Sequence, residues 1–289
     1  MLEFDKKYFY KYNLVAGIDE AGRGPLAGPV VAASVIFKES TYVEGVNDSK
    51  KLSKKRRDLL YDKIIDKALH IGVGIVNPNQ VDDLNILNAT KKAMEMSILD
   101  LGVYPDIILV DGNQIDFSNY NQESIIKGDS KSFSIASASI IAKVTRDRIM
   151  DSYAKIMPEY GFESHKGYGT KKHFEAIFKY KSSIIHRKSF NPVDKHLPSF
   201  NYYIENNAVN RLVMQIAGNN LIQNNHIIID VDCNCIYSSL EGVKYTSYLK
   251  SNIDRDDAFD SSNLSNKAEN QLINIDFSKG VYKISINSI

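Results

Sequence analysis

Apolar runs alternate with amphipathic stretches along the first two thirds of the chain, and the order of elements they predict is α/β. Residues 14–20 and 29–37 are short, aliphatic and joined through a glycine-rich connection, so they read as a hairpin of strands. Residues 53–69 carry Leu59, Leu60, Ile64 and Ile65, which predicts an amphipathic helix with those four side chains toward the core. Lys54, Lys55, Arg56 and Arg57 open that helix and are expected on its solvated face. A strand over 70–76 follows, then one or two helices over 79–101 that contain Asn85 and Thr90. Ile107 to Val110 is a continuous aliphatic run, the pattern of a buried strand. Residues 134–156 set Ser and Ala among Ile135, Ile140 and Ile141, which predicts a helix packed closely against a sheet, and 171–180 reads as a further short helix. Past about Pro198 the pattern changes. The tail is rich in Asn and Ser, alternates apolar and polar from His226 to Ile236, holds the charged cluster Asp254-Arg255-Asp256-Asp257 and ends strand-like at Val281 to Ile286. It reads as a small α+β appendage with a disordered segment near residues 251–267.

Acids stand where the predicted strands end. Asp19 and Glu20 follow the apolar run Val15-Ala16-Gly17-Ile18 and precede Ala21-Gly22-Arg23-Gly24-Pro25. A strand sends neighbouring side chains to opposite faces, so two consecutive acids cannot both sit over one core, and buried carboxylates are costly unless paired or bound to metal. Glycines on both sides of Arg23 let the backbone come close to a ligand and offer amides to phosphate oxygens. Asp111 closes the run at 107–110, and Asp129 lies in the basic turn Lys127-Gly128-Asp129-Ser130-Lys131 just ahead of the small-residue helix. Taken alone, Asp111 could equally be an acid opening a strand-to-turn connection.

Seven ordered motifs resemble ribonuclease HII, the type 2 ribonuclease H. They are Gly17 to Val30, Asn47-Asp48-Ser49-Lys50-Lys51-Leu52, Val110-Asp111-Gly112, Lys127-Gly128-Asp129-Ser130, Ala142 to Asp147, Ser164 to Thr170 and His186-Arg187-Lys188-Ser189-Phe190. The sister type HIII usually has Ser-Gly-Lys-Gly after its acid pair, where this chain has Ala21-Gly22-Arg23-Gly24. The resemblance runs from about Asn13 to about Val193 and implies a ribonuclease H-like mixed sheet flanked by helices. It divides the chain into a catalytic domain over 1–198 and an extension over 199–289. It implies Asp19, Glu20, Asp111 and Asp129 as catalytic metal ligands. It implies Gly22, Arg23 and Gly24 as backbone contacts to the ribonucleotide at an RNA-to-DNA junction, and Tyr168 as a ring stacked near the sugar there. An isolated tyrosine would be an ordinary surface aromatic, but Tyr168 lies in the Ser164 to Thr170 motif beside His165 and Lys166. The activity implied is hydrolysis of RNA in RNA/DNA hybrids, with cutting 5′ to ribonucleotides, single ones embedded in duplex DNA included. Such chemistry suits two divalent ions held by shared carboxylates, and hard oxygen donors favour Mg²⁺ or Mn²⁺ over zinc. The competing class is a nucleic-acid-binding module that kept the fold and lost the chemistry; loss of one acid would mark it, and all four are present.

Charge refines this picture. Residues 1–200 carry 29 Lys and Arg against 25 Asp and Glu, a net +4, whereas 201–289 carry 7 against 10, a net −3. Phosphate attraction therefore belongs to the first part, where Lys50, Lys51, Lys143, Arg146, Lys166, Lys171, Lys172 and Arg187 are candidates for neutralising nucleic-acid phosphates. Cys233 and Cys235 form one Cys-Asn-Cys run with no second pair, the pattern of reduced thiols rather than a zinc site. Met1 to Tyr12 is charged and aromatic rather than a leader, and no apolar run reaches membrane-spanning length. The expectation is a cytoplasmic monomer that engages nucleic acid and no membrane.

Overall fold

The computed structural model describes residues 1–112, 117, 119–224, 227–232, 235–240, 243–251, 270–276 and 283–288. The chain packs as two units, Met1–Arg148 with Arg187–Ser189, and Ile149–His186 with Phe190–Ile289.

In the first unit the order is α1 (Leu2–Phe9), β1 (Val15–Ala21), β2 (Val30–Ile36), α2 (Lys54–Lys67), β3 (His70–Val76), α3 (Pro78–Asp100), β4 (Ile107–Asp111), β5 (Gln122–Ile125) and most of α4 (Phe133–Ile156). The sheet runs β3-β2-β1-β4-β5. Its first three strands pair antiparallel and β1, β4 and β5 pair parallel, so the sheet is mixed and the expected β1–β2 hairpin is present. Val15 to Ile18, all of β2 and Ile107 to Val110 are buried, as continuous aliphatic runs require. Gly17 lies where β1 meets α4. A Cβ there would fall 2.2 Å from the Ser134 carbonyl carbon, so only glycine permits this approach. The start of α4 is fixed by the buried Asp5 of α1, whose carboxylate accepts the Ser134 amide and hydroxyl, each at 2.9 Å.

Two features depart from the sequence reading. In α2 only Leu60 and Ile64 are buried, while Leu59 and Ile65 are 46% and 49% exposed, because Leu60 and Ile64 lie four residues, about one turn, apart and share a face that their neighbours do not. Arg57 is not on the solvated face. Its guanidinium reaches back to the carbonyls of Ser49 at 3.1 Å and Leu52 at 2.5 Å and pairs with Asp147 at 3.7 Å. The region over 79–101 forms one element broken at Asn85, whose φ of 66° interrupts the helix and whose Oδ1 accepts the Leu87 and Asn88 amides as the helix restarts.

The second unit contains the last turns of α4, then α5 (Phe162–His165), α6 (Lys171–Tyr180), α7 (Phe200–Glu205) and α8 (Val209–Gln223), followed by β6 (Ile227–Asp232), β7 (Cys235–Leu240), β8 (Val243–Ser251), β9 (Asn270–Asp276) and β10 (Lys283–Ser288). These strands form a separate sheet in the order β10-β9-β8-β7-β6, so the tail is α+β. Helix α8 buries Leu212, Val213, Ala217 and Leu221 and packs on the end of α4. Gly218 sits against Ile156, where a Cβ would be 2.2 Å from Ile156 Cδ1, and the Tyr153 hydroxyl lies 2.8 Å from Asn219 Oδ1. Cys233, the Asp254 to Asp257 cluster and the segment expected to be disordered beyond Ser251 lie outside the described residues. Among those described, no helix is long and apolar enough to cross a membrane.

Candidate active site

The acids of the first unit meet through strand register. β1 and β4 run parallel with Ile18 beside Val110, so Asp19 and Asp111 are the next residues on adjacent strands. Asp19 is 4% exposed and its Oδ1 accepts the Glu20 amide at 2.8 Å, while Glu20 turns toward Arg23, with Oε1 3.4 Å from Nη1. Strand β5 leads into a tight turn in which Lys127 takes a left-handed φ of 57°. That turn aims the Gly128 amide at Asp111 Oδ1, 2.6 Å away, and buries Asp129. Lys50 completes the group, its ammonium 3.3 Å from Asp129 Oδ2. Its loop is shaped by Asp48, which accepts the Lys50 amide at 3.0 Å, and by Ser49, whose hydroxyl lies 2.9 Å from that of Ser139 on α4. Ser139 in turn hydrogen-bonds the Asp19 carboxylate. The sequence does not single out Ser49 or Ser139 as site residues, although both lie in informative runs; a hydroxyl's partner cannot be read from its position in a motif.

Electrostatics mark this end of the sheet as unfinished. Burial, then the charges of Glu20 and Asp111, push the Asp19 carboxyl well above the ordinary range. Glu20 is raised by burial against the pull of Arg23, and Asp111 is raised by burial and by Asp129 against its hydrogen bonds from the 128–129 backbone. Among the described residues, no three His, Cys, Asp or Glu side chains converge tightly enough to hold a metal ion as they stand. The donors themselves are carboxylate oxygens, which suit a hard divalent cation rather than zinc.

The segment after β1 is built by two buried arginines. Gly22 has a φ of 98°, and a Cβ on it would lie 2.2 Å from Arg146 Nε, so the position admits no side chain. Arg146 donates to the carbonyls of Pro29 at 2.9 Å and Ala27 at 3.1 Å and is wholly buried. Arg187 is equally buried and donates to the carbonyls of Gly22, Arg23 and Gly28. Neither guanidinium is presented to a phosphate, which revises the sequence reading of both: an arginine's identity does not reveal whether its fork faces solvent or main chain. Lys143 pairs with Asp147 at 2.7 Å, and burial lowers its ammonium against the pull of that acid. Gly24 and Arg23 remain at the surface.

His165, Lys166 and Tyr168 belong to the second unit. Tyr168 is 43% exposed, but His165 and Lys166 are buried. The Lys166 ammonium donates to Asp151 and to the Glu163 carbonyl, so it is a structural cation rather than a surface one. His165 joins His173 and His186 in a cluster with Tyr160 and Phe162. Amides fix the tautomers. His186 Nδ1 accepts the Ser183 amide at 2.9 Å, leaving its Nε2–H to donate to His173 Nε2 at 3.0 Å, and His173 Nδ1–H donates to the Tyr168 carbonyl at 3.0 Å. His165 accepts the Gly167 amide on Nδ1 and donates from Nε2 to the Tyr160 carbonyl. Burial holds all three imidazoles neutral, with His173 lowered to about 4 and His186 driven well below its ordinary value.

A mixed five-stranded sheet with helices, carrying acids at the ends of adjacent strands, is the fold of the ribonuclease H-like proteins. Residues 16–193 match the family model of ribonuclease HII. The ribonuclease HII of Clostridioides difficile (strain 630) is 59% identical over 187 residues, covering 65% of this chain and 72% of its own. That of Acetivibrio thermocellus is 56% identical over 191 residues, covering 66% and 75%. Among solved structures, the ribonuclease H2 of Pyrococcus horikoshii OT3 superposes with a TM-score of 0.55 at 28% identity, over 63% of this chain and 96% of that one. The chain belongs to the ribonuclease HII family. It is accordingly a ribonuclease H, an endonuclease acting on the RNA of RNA/DNA hybrids, and the family depends on divalent metal.

Proposed function

We propose that this enzyme cuts on the 5′ side of ribonucleotides, single ones embedded in duplex DNA included, and leaves a 3′-hydroxyl and a 5′-phosphate. The observation that carries the reading is the group formed by Asp19, Glu20, Asp111 and Asp129, whose first three members are raised in pKa by burial and like charge, with Lys50 beside Asp129 and Arg23 beside Glu20. Such a group is costly as scaffold and useful as a cation cradle. In this reading the four acids hold two divalent ions, Mg²⁺ or Mn²⁺, which when bound supply an activated water and neutralise charge at the scissile phosphodiester. The chain's own residues do the rest. Gly128 orients Asp111 through its amide, Ser139 orients Asp19, and Lys50 brings positive charge to the backbone phosphates from an exposed side chain. Amides of the Gly22-Arg23-Gly24 segment meet the ribonucleotide, where the 2′-hydroxyl separates RNA from DNA, and the Tyr168 ring stacks on the sugar at the junction.

The same proposal takes residues 1–198 as the catalytic domain and 199–289 as an extension outside the chemistry, in a protein that works as a cytoplasmic monomer. The −3 net charge of 201–289 supports placing that extension outside the attraction of phosphate. The test is a DNA duplex with one internal ribonucleotide, incubated with Mg²⁺ or Mn²⁺ and resolved at single-nucleotide resolution. A single cut 5′ to the ribonucleotide is expected. Cleavage confined to continuous RNA/DNA hybrids would overturn the ribonucleotide-specific part and leave the family activity standing.

A further inference from the structure

Arg187 is wholly buried, yet its side-chain hydrogen bonds go to three main-chain carbonyls more than a hundred residues away in sequence. Nη2 lies 2.5 Å from the Gly22 oxygen and 3.0 Å from that of Gly28, Nη1 lies 2.9 Å from the Arg23 oxygen, and Nε lies 3.1 Å from the Gly28 oxygen. Its own amide donates to the Leu26 carbonyl at 2.8 Å. Arg146 takes the carbonyls of Ala27 and Pro29, so the two guanidiniums together gather five carbonyls of the segment. A trans peptide is planar and points its C=O and N–H in opposite directions. Among the described residues the cis peptide bond is at Asn191-Pro192, so both peptides flanking Arg23 are trans. Drawing the Gly22 and Arg23 carbonyls toward Arg187 therefore turns the amides of Arg23 and Gly24 away from it. Those two residues are the ones at the surface of the segment.

We propose that Arg187 is a positioning residue for substrate selection: its buried fork sets the peptide planes on either side of Arg23 so that two consecutive amides face the ribonucleotide. This rests on the reading that the Gly22-Arg23-Gly24 segment meets the ribonucleotide, and it assigns the segment's shape to a side chain that never touches nucleic acid. Lysine cannot replace it, because one ammonium cannot engage three carbonyls in a fixed planar fork. The chain is fastened immediately after Arg187, where the half-buried Asp82 accepts the amides of Lys188 and Ser189, each at 2.9 Å, and the Ser189 hydroxyl at 2.6 Å. Asp82 therefore acts on the same device from further out.

The test compares full-length wild type, Arg187→Lys and Asp82→Ala. Affinity is measured by fluorescence anisotropy for a DNA duplex with one internal ribonucleotide and for the matched all-deoxy duplex, with KM and kcat on the first and thermal unfolding as the control for folding. The preference for the ribonucleotide duplex should fall about tenfold in Arg187→Lys, as expected when a site built to hydrogen-bond a hydroxyl loses its geometry. KM should rise more than kcat falls, and Asp82→Ala should shift the ratio in the same direction by less. A purely structural Arg187 would lower the unfolding temperature and leave the ratio alone. A folded Arg187→Lys with the wild-type ratio overturns the proposal; should that variant not fold, an unchanged ratio in Asp82→Ala overturns it. A wild type without any preference instead defeats the reading of the segment itself.

Discussion

The carboxylates of the first unit, buried at Asp19 and Asp129 and half-buried at Glu20 and Asp111, and the buried imidazoles of the second are both clusters of titratable groups, and they are finished in opposite ways. In the histidine cluster each proton has a place: amides of Ser183 and Gly167 fix which nitrogens accept, and carbonyls of Tyr168 and Tyr160 receive what the rings donate. The rings are neutral, and neutrality costs nothing further once every donor and acceptor is matched. The acids have Gly128, Ser139, Lys50 and Arg23 around them, yet Asp19, Glu20 and Asp111 stay raised because burial and mutual repulsion exceed what those neighbours supply. A satisfied buried cluster builds the scaffold. A like-charged one gathers more negative charge than its neighbours offset, which is the imbalance a bound cation would relieve.

Removing one acid should have the largest effect on cleavage. Asp19→Asn and Asp111→Asn should each lower cleavage of a hybrid by about a thousandfold or more, with hybrid affinity largely kept, because volume stays and charge goes. Single-turnover rates and anisotropy on the same preparations check this, and near-wild-type turnover in either variant would show that the cluster is not catalytic. Next in size is Tyr168→Ala. It should slow cleavage at a single embedded ribonucleotide on the order of tenfold to a hundredfold, and a continuous hybrid by less, since one stacked ring is worth about 1–3 kcal/mol. Equal losses on both substrates reject a role at the junction.

Stability sharpens the contrast further. His186→Leu orphans the Ser183 amide and the His173 acceptor, and should lower stability by about 2–4 kcal/mol in denaturant titration. For buried imidazoles with lowered pKa the unfolded chain protonates first, so wild-type stability should fall as pH drops below about 6.5 and keep falling toward the value of about 4 at His173. The acids carry the opposite sign. Their pKa values are raised on folding, so they disfavour the folded state as pH rises past the ordinary carboxylate range. Metal-free Asp19→Asn should therefore be more stable than wild type at neutral pH, with the gain vanishing in acid. Added Mg²⁺ should raise the wild-type unfolding temperature more at neutral than at acidic pH, and a pH-independent increment would contradict the account.

Much of the first unit is legible in its sequence. Aliphatic runs mark β1, β2, β3 and β4 within a residue or two, and acids at strand ends point to the site. Strand β5 is not legible, because Gln122-Glu123-Ser124-Ile125 is an edge segment with one buried side chain and carries no apolar signal. Helix α1 escapes for the opposite reason: Phe4, Tyr8 and Phe9 read as scattered aromatics until they pack on the cluster of Val15, Ile107 and Leu109. The basic residues are the least legible part. Arg146, Lys166 and Arg187 look like phosphate contacts in the sequence, and Arg57 like a solvated charge, yet all four are tied to carbonyls or carboxylates in the fold. Charge is written in a sequence, whereas the direction in which a long side chain turns is decided by packing.

The distance along the chain between Arg187 and the segment it holds bears on the order in which the protein is made. Gly22 and Arg23 leave the ribosome early, together with Asp19 and Glu20, but the bonds from Arg187 to their carbonyls span 165 and 164 residues. Closing so long a loop is slow, and it cannot begin until residue 187 has been synthesised. A nascent chain that stops short of that point already carries Asp19, Glu20, Asp111 and Asp129, while the carbonyls of Gly22 and Arg23 still lack the guanidinium that gathers them. The last fastening of that segment is therefore made only after the strands that carry the acids have been synthesised, once Arg187 is available.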